Sequence, residues 1–225
     1  MLKEIIDEFY KKQEENRDRE YFYVTDAGKC KRATFLKFKN APAKDLEPRV
    51  LRIFEKGEYH HRNLISCLIR SGIVVAAEIS TPPQAIISGR ADAILSIDSQ
   101  LYVLDIKSTN SNAFRYMKNP KEKHLYQIQL YLHFFNIQNG ILLYVDKDQQ
   151  KLKEFEIDYD PDLANNLMKQ FSKLKDKIDN NVVPARNDSY PSKGECRYCK
   201  FKELCKKAEE GEMNWENLKE KFKDN

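Results

Sequence analysis

Asp92, Asp105 and Lys107 are the residues on which chemistry most readily rests. They lie in Gly89-Arg90-Ala91-Asp92-Ala93-Ile94 and Val103-Leu104-Asp105-Ile106-Lys107-Ser108, two stretches whose pattern reads as neighbouring strands. Side chains alternate faces along a strand. Asp105 and Lys107 therefore point one way, while Ile106 points into the core and leaves its backbone carbonyl beside them. An oxygen-rich corner of that kind favours a hard divalent cation. Hydrolysis of a phosphodiester requires a barrier lowered by an amount on the order of 20 kcal/mol, whereas one general acid or base supplies roughly 100- to 10,000-fold. One or two cations on Asp92, Asp105 and the Ile106 carbonyl make up much of the difference, with Lys107 orienting the attacking water or steadying the phosphate. The competing reading pairs Asp92 with Arg90 and Asp105 with Lys107 as ordinary strand-end charges. An acid in one strand and an acid-x-lysine at the end of the next, taken together, favour catalysis.

The surrounding pattern supplies the elements that must hold this corner. Leu2, Ile5, Ile6, Phe9 and Tyr10 recur at helical spacing, followed by a charged run from Lys11 to Glu20. Thr25-Asp26 offers a helix cap, placing Cys30 in the first turns of a short helix through Arg32, Phe35 and Leu36. Ile53, Phe54, His61, Leu64, Ile65 and Leu68 share one face of a longer helix that ends near Ser71-Gly72. Three antiparallel strands are expected over Ile73 to Ser80, Ile86 to Ile97 and Leu101 to Lys107, separated by Thr81-Pro82-Pro83 and Asp98-Ser99. An aromatic helix from Leu125 to Phe135 follows, then strands over Gly140 to Val145 and Lys153 to Asp158 and a helix from Asp162 to Ile178. The loop from Asn180 to Gly194 leads to a cysteine-rich end, and the polar tail after Lys206 is expected to be partly mobile.

His61 lies on the apolar face of its helix, where a lone histidine is either a hydrogen-bonded core residue or an extra metal ligand; His60 is expected nearer to solvent. Gln127 and Tyr131 stand one helical turn apart, so an amide and a phenol share a face that can hold the lysine or a phosphate. By spacing alone, plain packing among Tyr126, Leu130 and Leu132 is the simpler reading. Glu78 and the basic cluster Arg115, Lys118, Lys121 and Lys123 are weaker signals; the cluster suits a phosphate backbone or a solvated face equally.

Cys196-Arg197-Tyr198-Cys199 and Cys205 form a Cys-x2-Cys-x5-Cys run, with Cys30 as the distant fourth thiol. Structural zinc sites normally use two close pairs. The three-plus-one division is more usual for an iron–sulfur centre, which favours a 4Fe-4S cluster over zinc. Such a site closes a loop of 166 residues and staples the two ends of the chain. Cys67, amid Leu64, Ile65 and Leu68, reads as a buried small apolar side chain.

The 225 residues are 41% hydrophobic, enough for one substantial core, and a single domain over 1–225 is expected. Its core spans about 50–180, with cluster-binding elements at 25–40 and 190–210 and a polar tail over 206–225. A net charge of +4, with 33% charged residues, fits a nucleic-acid partner without demanding one. Acids interrupt the amino-terminal apolar stretch and no apolar run can cross a bilayer, so a cytoplasmic protein with no membrane partner is expected.

With His61, Asp92, Asp105-Ile106-Lys107, Gln127-x3-Tyr131 and the one-plus-three cysteines in order, the sequence resembles the RecB-like branch of the PD-(D/E)xK nucleases. Its size and cysteine layout look most like the CRISPR-associated Cas-four exonuclease family. The resemblance runs from about Thr25 to Cys205; His61 follows Gly57 at the family's spacing, and Gly89-Arg90-Ala91-Asp92 matches its second motif. Asp105 stands where relatives often have glutamate, a shorter arm that can alter metal preference. The resemblance also favours a functional Gln127 and Tyr131 over the packing reading.

It implies an α/β fold, mixed in the α+β sense: a restriction-endonuclease-like core with a central mixed β-sheet flanked by helices, plus a cysteine-cluster subregion joining the N- and C-terminal parts. It further implies an exonuclease, using Mg2+ or Mn2+ and carrying a 4Fe-4S cluster, whose substrate is DNA, single-stranded by preference. His61, Asp92, Asp105 and Ile106 would hold the metal, Lys107 would assist the water, and Gln127 with Tyr131 would position lysine and DNA. The settings it implies are CRISPR spacer acquisition, with adaptation proteins as partners, or repair and recombination. The rival readings are a non-catalytic DNA-binding assembly subunit and an iron–sulfur redox sensor that binds DNA.

Overall fold

A computed structural model describes residues 1–12, 19–82, 86–188, 190–192 and 194–223. In chain order its elements begin α1 (Leu2–Lys12), β1 (Phe22–Tyr23), α2 (Lys31–Phe38), α3 (Pro48–Arg70), β2 (Val74–Ser80), β3 (Ile87–Ser88), β4 (Arg90–Ile97) and β5 (Gln100–Thr109). They continue as α4 (Ser111–Arg115), α5 (Glu122–Phe135), β6 (Asn139–Asp146), β7 (Leu152–Asp158) and α6 (Pro161–Asp179). The last are β8 (Val182–Val183), α7 (Gly194–Arg197), α8 (Lys202–Lys207), β9 (Met213–Asn214) and α9 (Trp215–Lys223). No helix among the described residues is long and apolar enough to cross a membrane. The chain divides into two compact units: one of Met1–Phe22, Lys29–Pro48 and Met168–Asn225, the other of Tyr23–Gly28 and Arg49–Leu167.

The second unit is built on a five-stranded mixed sheet in the order β2-β4-β5-β6-β7. β2, β4 and β5 form an antiparallel meander, β5 and β6 run parallel, and β7 returns antiparallel to β6. A parallel neighbour requires a crossover, and α4 with α5 provides it. β5 is covered on both faces, so Val103, Leu104, Asp105 and Ile106 are buried consecutively rather than alternately. On one face Leu104 and Ile106 pack with Ala93, Leu95 and Ile65 of α3. On the other, α5 comes so close to β6 that a Cβ at Gly140 would stand 2.7 Å from Ile128 Cδ1, so a side chain here would have to displace the tip of Ile128.

The second expected strand is interrupted. Gly89 separates β3 from β4, its carbonyl accepting from Thr81 N–H at 2.8 Å and its N–H donating to Thr81 Oγ1 at 3.1 Å. The end of the preceding turn, at Pro83, and most of the charged run before Glu20 lie outside the described residues. A Cβ at Gly89 would collide with the Val24 side chain and stand 3.0 Å from Tyr131 Cε1. Gly89→Ala should therefore destabilise the protein by about 1–3 kcal/mol through overpacking, read as a lower urea midpoint. An unchanged midpoint would show that Val24 gives way.

α3 carries its apolar stripe differently from the periodic reading. Ile53 and Phe54 are exposed, Ile65 is buried, and Cys67, expected inside, faces solvent because the covered stripe runs along buried His60 and Ile65 and half-buried Leu64.

In the first unit Phe22 packs against Phe38 and Phe171 with ring centroids 4.6 and 5.1 Å apart. α2 starts at Lys31, so Cys30 is its N-cap residue and Thr25-Asp26 belongs to a separate 3-10 turn, Val24–Asp26. Arg32 is 1% exposed. Its Nε donates to the Pro184 carbonyl at 2.7 Å and its Nη2 to the Glu209 and Gly211 carbonyls, both at 2.8 Å. Much of the tail expected to be partly mobile is folded over 213–223: β9 pairs with β8, and Trp215 and Leu218 of α9 are buried, Trp215 lying edge-on to Phe35 at 5.9 Å. The signal was Trp215-x2-Leu218 within a polar sequence, one apolar stripe on a short helix.

Candidate active site and cysteine pocket

The pairing of β4 with β5 runs from Ile97↔Gln100 to Ala93↔Leu104 and stops there. The next β4 residue, Asp92, bonds to β5 through its side chain: Oδ2 accepts the Ile106 N–H at 2.5 Å. The other carboxylate oxygen lies 3.2 Å from Nδ1 of His61, which α3 delivers to this end of the sheet. Arg90 takes no part in holding Asp92; its Nε pairs with Glu78 at 2.7 Å.

Asp105 is 2% exposed, and Lys107 lies on the same face of β5 two residues on. Lys107 Nζ lies 2.8 Å from Asp105 Oδ2 and 3.0 Å from Oδ1, and donates to Gln127 Oε1 at 2.9 Å. Gln127 in turn donates through Nε2 to Asp105 Oδ1 and to the Tyr131 hydroxyl, both at 3.3 Å. One amide thus fixes both the acid and the lysine, as the turn-spaced pair on α5 suggested. Tyr131 lies deeper than the sequence reading had it. At 1% exposure its ring cannot meet a substrate, and its hydroxyl donates instead to the Arg90 carbonyl at 2.8 Å, tying α5 to the strand of Asp92.

Burial raises the Asp105 carboxyl to about 6; the neighbouring Lys107 ammonium opposes this and the Asp92 charge adds to it. Burial pulls the His61 imidazole down, but the hydrogen bond to Asp92 and its charge outweigh that and hold it above its ordinary value. Burial, with the charge of Asp105 beside it, pushes the Tyr131 phenol up, so that it acts as a neutral donor. His60, expected nearer to solvent, is buried, and its Nε2 has no hydrogen-bond partner among the described residues. His61 is the histidine that reaches the carboxylates. Adjacent helical residues differ by about 100°, so a broad apolar stripe does not tell which of two neighbours turns inward.

Two further residues were not singled out by their spacing. Tyr144 of β6 stands opposite Lys107 in the parallel ladder, and its hydroxyl lies 2.7 Å from His124 Nδ1 and accepts the Lys121 N–H at 3.1 Å. Burial and the charges of Lys107, Lys123 and Lys121 lower His124 to about 3, keeping it neutral. The available signal was His124 three residues before Gln127, on the same side of α5.

Cys30, Cys196, Cys199 and Cys205 line one pocket of the first unit. The Cys30 N–H donates to Glu195 Oε1 at 2.8 Å, and Arg32 Nη1 lies 3.8 Å from the Cys205 sulfur. Burial raises the thiols of Cys30 and Cys199. Among the described residues, no three His, Cys, Asp or Glu side chains are already gathered around a single ion. The donors of each site are nonetheless suited to different groups: carboxylate, carbonyl and imidazole for a hard divalent cation, four thiols for a soft centre. The carboxyl raised beside a second carboxylate marks a corner where a further positive charge is favourable.

Comparison with known proteins bears on the family and the fold of the chain. The PD-(D/E)XK nuclease superfamily profile matches residues 2–206. The CRISPR-associated exonuclease Cas4 of Saccharolobus solfataricus is 31% identical over 120 residues, 53% of this chain and 52% of that protein, so the likeness spans about half the length of that curated relative. Among solved structures, SSO0001 aligns with a TM-score of 0.59 at 24% identity, covering 91% of this chain and 96% of its own. A phage-related exonuclease from Haemophilus somnus 129PT aligns with a TM-score of 0.51 at 14% identity, covering 67% of this chain and 78% of its own. Both structures share the fold of a mixed sheet flanked by helices.

Proposed function

Because the chain belongs to the PD-(D/E)XK nuclease superfamily, we propose that it is a divalent-metal-dependent DNA exonuclease that prefers single strands and carries a 4Fe-4S cluster. The observation that carries this reading is the meeting of Asp92, Asp105, Lys107 and Gln127 where β4 and β5 part. His61, Asp92, Asp105 and the Ile106 carbonyl would hold Mg2+ or Mn2+, which when bound polarises the phosphate and neutralises the leaving oxygen. Lys107, fixed between Asp105 and Gln127, directs its ammonium at the attacking water or at the phosphate oxygen that gains charge. Gln127 keeps that ammonium in register with the acid. Tyr131 acts as a positioning residue, holding β4 through the Arg90 carbonyl.

Cys30, Cys196, Cys199 and Cys205 would ligate the cluster. Their shared pocket and three-plus-one spacing support this, and a metal centre bound there would have to displace the protons that burial holds on Cys30 and Cys199. The exonuclease mode and a CRISPR-associated setting follow the relative named a CRISPR-associated exonuclease; within that setting the step we propose is spacer acquisition, with adaptation proteins as partners.

The test is anaerobic purification, an absorbance spectrum, and incubation with end-labelled single- and double-stranded DNA with and without magnesium or manganese. Stepwise shortening of single strands only when metal is present, together with broad visible absorbance that bleaches in air, is the expected result. DNA left intact under every condition overturns the enzymatic reading, and a colourless protein that binds zinc overturns the cluster.

A further inference from the structure

The stretch from α4 into the first turn of α5 carries charges and a ring that the catalytic corner does not use. We propose that Arg115, Tyr116, Lys118, Lys121 and Lys123 form the track by which single-stranded DNA reaches that corner, a base stacking on Tyr116 and the phosphates meeting the cations. This rests on the nuclease reading above and names the substrate contacts it lacks.

Tyr116 is 73% exposed, yet Phe114 and Met117 on either side of it are buried. The backbone that presents the ring is pinned. Asn110 caps α4 by accepting the Ala113 N–H at 2.8 Å. Ser111 donates its hydroxyl to both Asp146 oxygens at 2.8 Å and its N–H to Asp148 Oδ2 at 2.9 Å. Lys153 Nζ donates to the Phe114 and Met117 carbonyls at 3.1 and 2.8 Å. A large ring held outward on a fixed turn is prepared to stack at little cost in ordering.

The cations share its surroundings. Arg115, Lys118, Lys121 and Lys123 are exposed, and among the described residues none has an acidic partner within ion-pair distance. Their charge is therefore available to phosphates. Lys121 also lies next to the chemistry: its N–H donates to the hydroxyl of Tyr144, the β6 residue paired with Lys107. An exposed ring can stack on an unpaired base, whereas the bases of a duplex already stack on one another; this favours a single strand.

The experiment is fluorescence anisotropy of labelled oligothymidylate, and of a blunt duplex of equal length, in EDTA to prevent cleavage and at a series of salt concentrations. Tyr116→Ala should weaken single-strand binding about tenfold with the salt dependence unchanged, and Tyr116→Phe should bind as the parent does. Replacing Lys118, Lys121 and Lys123 together by Gln should lower the slope of log K against log salt by about 0.7 for each lysine that meets a phosphate. The duplex should respond to the lysines and not to Tyr116→Ala.

Parent-like single-strand affinity in Tyr116→Ala, with circular dichroism confirming the fold, overturns the track. So does an equal loss on duplex, or a parent chain that binds neither DNA. The assay involves no cleavage, so a chain that binds through Tyr116 and cuts nothing fails the nuclease reading alone, and one that cuts while Tyr116→Ala binds normally fails the track alone.

Discussion

Lys107→Ala should leave a folded protein whose metal-dependent DNA degradation is lower by about 100- to 10,000-fold, the range that one positioned proton-transfer or electrostatic group supplies. Its ammonium touches both Asp105 oxygens and the Gln127 amide. Once it is gone, the contact left to Asp105 among the described residues is that with Gln127 Nε2 at 3.3 Å. The carboxyl, already raised to about 6 with the lysine beside it, rises further and is protonated more of the time near neutrality. The variant therefore loses an ammonium directly and a carboxylate indirectly. Asp105→Asn should match it, being unable to ionise at any pH. Initial rates on end-labelled single strands, with the thermal midpoint as a control for folding, decide the matter. A purified Lys107→Ala protein that degrades DNA at the parent rate removes the lysine from the chemistry.

Arg32→Leu should cost about 3–5 kcal/mol of stability, measured by urea denaturation. The guanidinium is buried and serves carbonyls from two stretches of chain, Pro184 on one side and Glu209 with Gly211 on the other. Leucine, which ends where the arginine's Cδ lies and has no donor, leaves all of these acceptors unpaired. Arg32→Lys should recover little of the loss, because a single ammonium cannot reproduce a planar fork aimed in two directions. An unchanged midpoint in Arg32→Leu would mean that water replaces the guanidinium at these carbonyls.

The corner itself was legible in the sequence because strand periodicity is exact. A residue two places from Asp105 must share its face, whatever else the chain does. Helical positions were less decisive. His60 and His61 sit on flanks of one stripe, and the element packed on α3 determines which is covered. The burial of Tyr131 depended on the same kind of information, since its pocket is made by the break at Gly89 and by Val24, far away in sequence. Cys67 was misjudged because the apolar neighbours that surround it in sequence lie around the helix from it in space. The parallel pairing of β5 with β6, separated by two helices, leaves no local signature in either strand.

The first unit draws on three separated stretches of chain, the last of them beginning at Met168. Most of the second comes from one continuous stretch, Arg49–Leu167. On a ribosome these two cannot mature together. At about 5–20 residues per second, the cysteines from Cys196 onward emerge about 10–30 s after Cys30, and for that interval Cys30 and the Arg32 guanidinium have none of the carboxy-terminal groups they later meet. A centre shared by these four thiols would therefore be completed only after Cys205 has emerged, while the sheet bearing Asp105 has already had time to form.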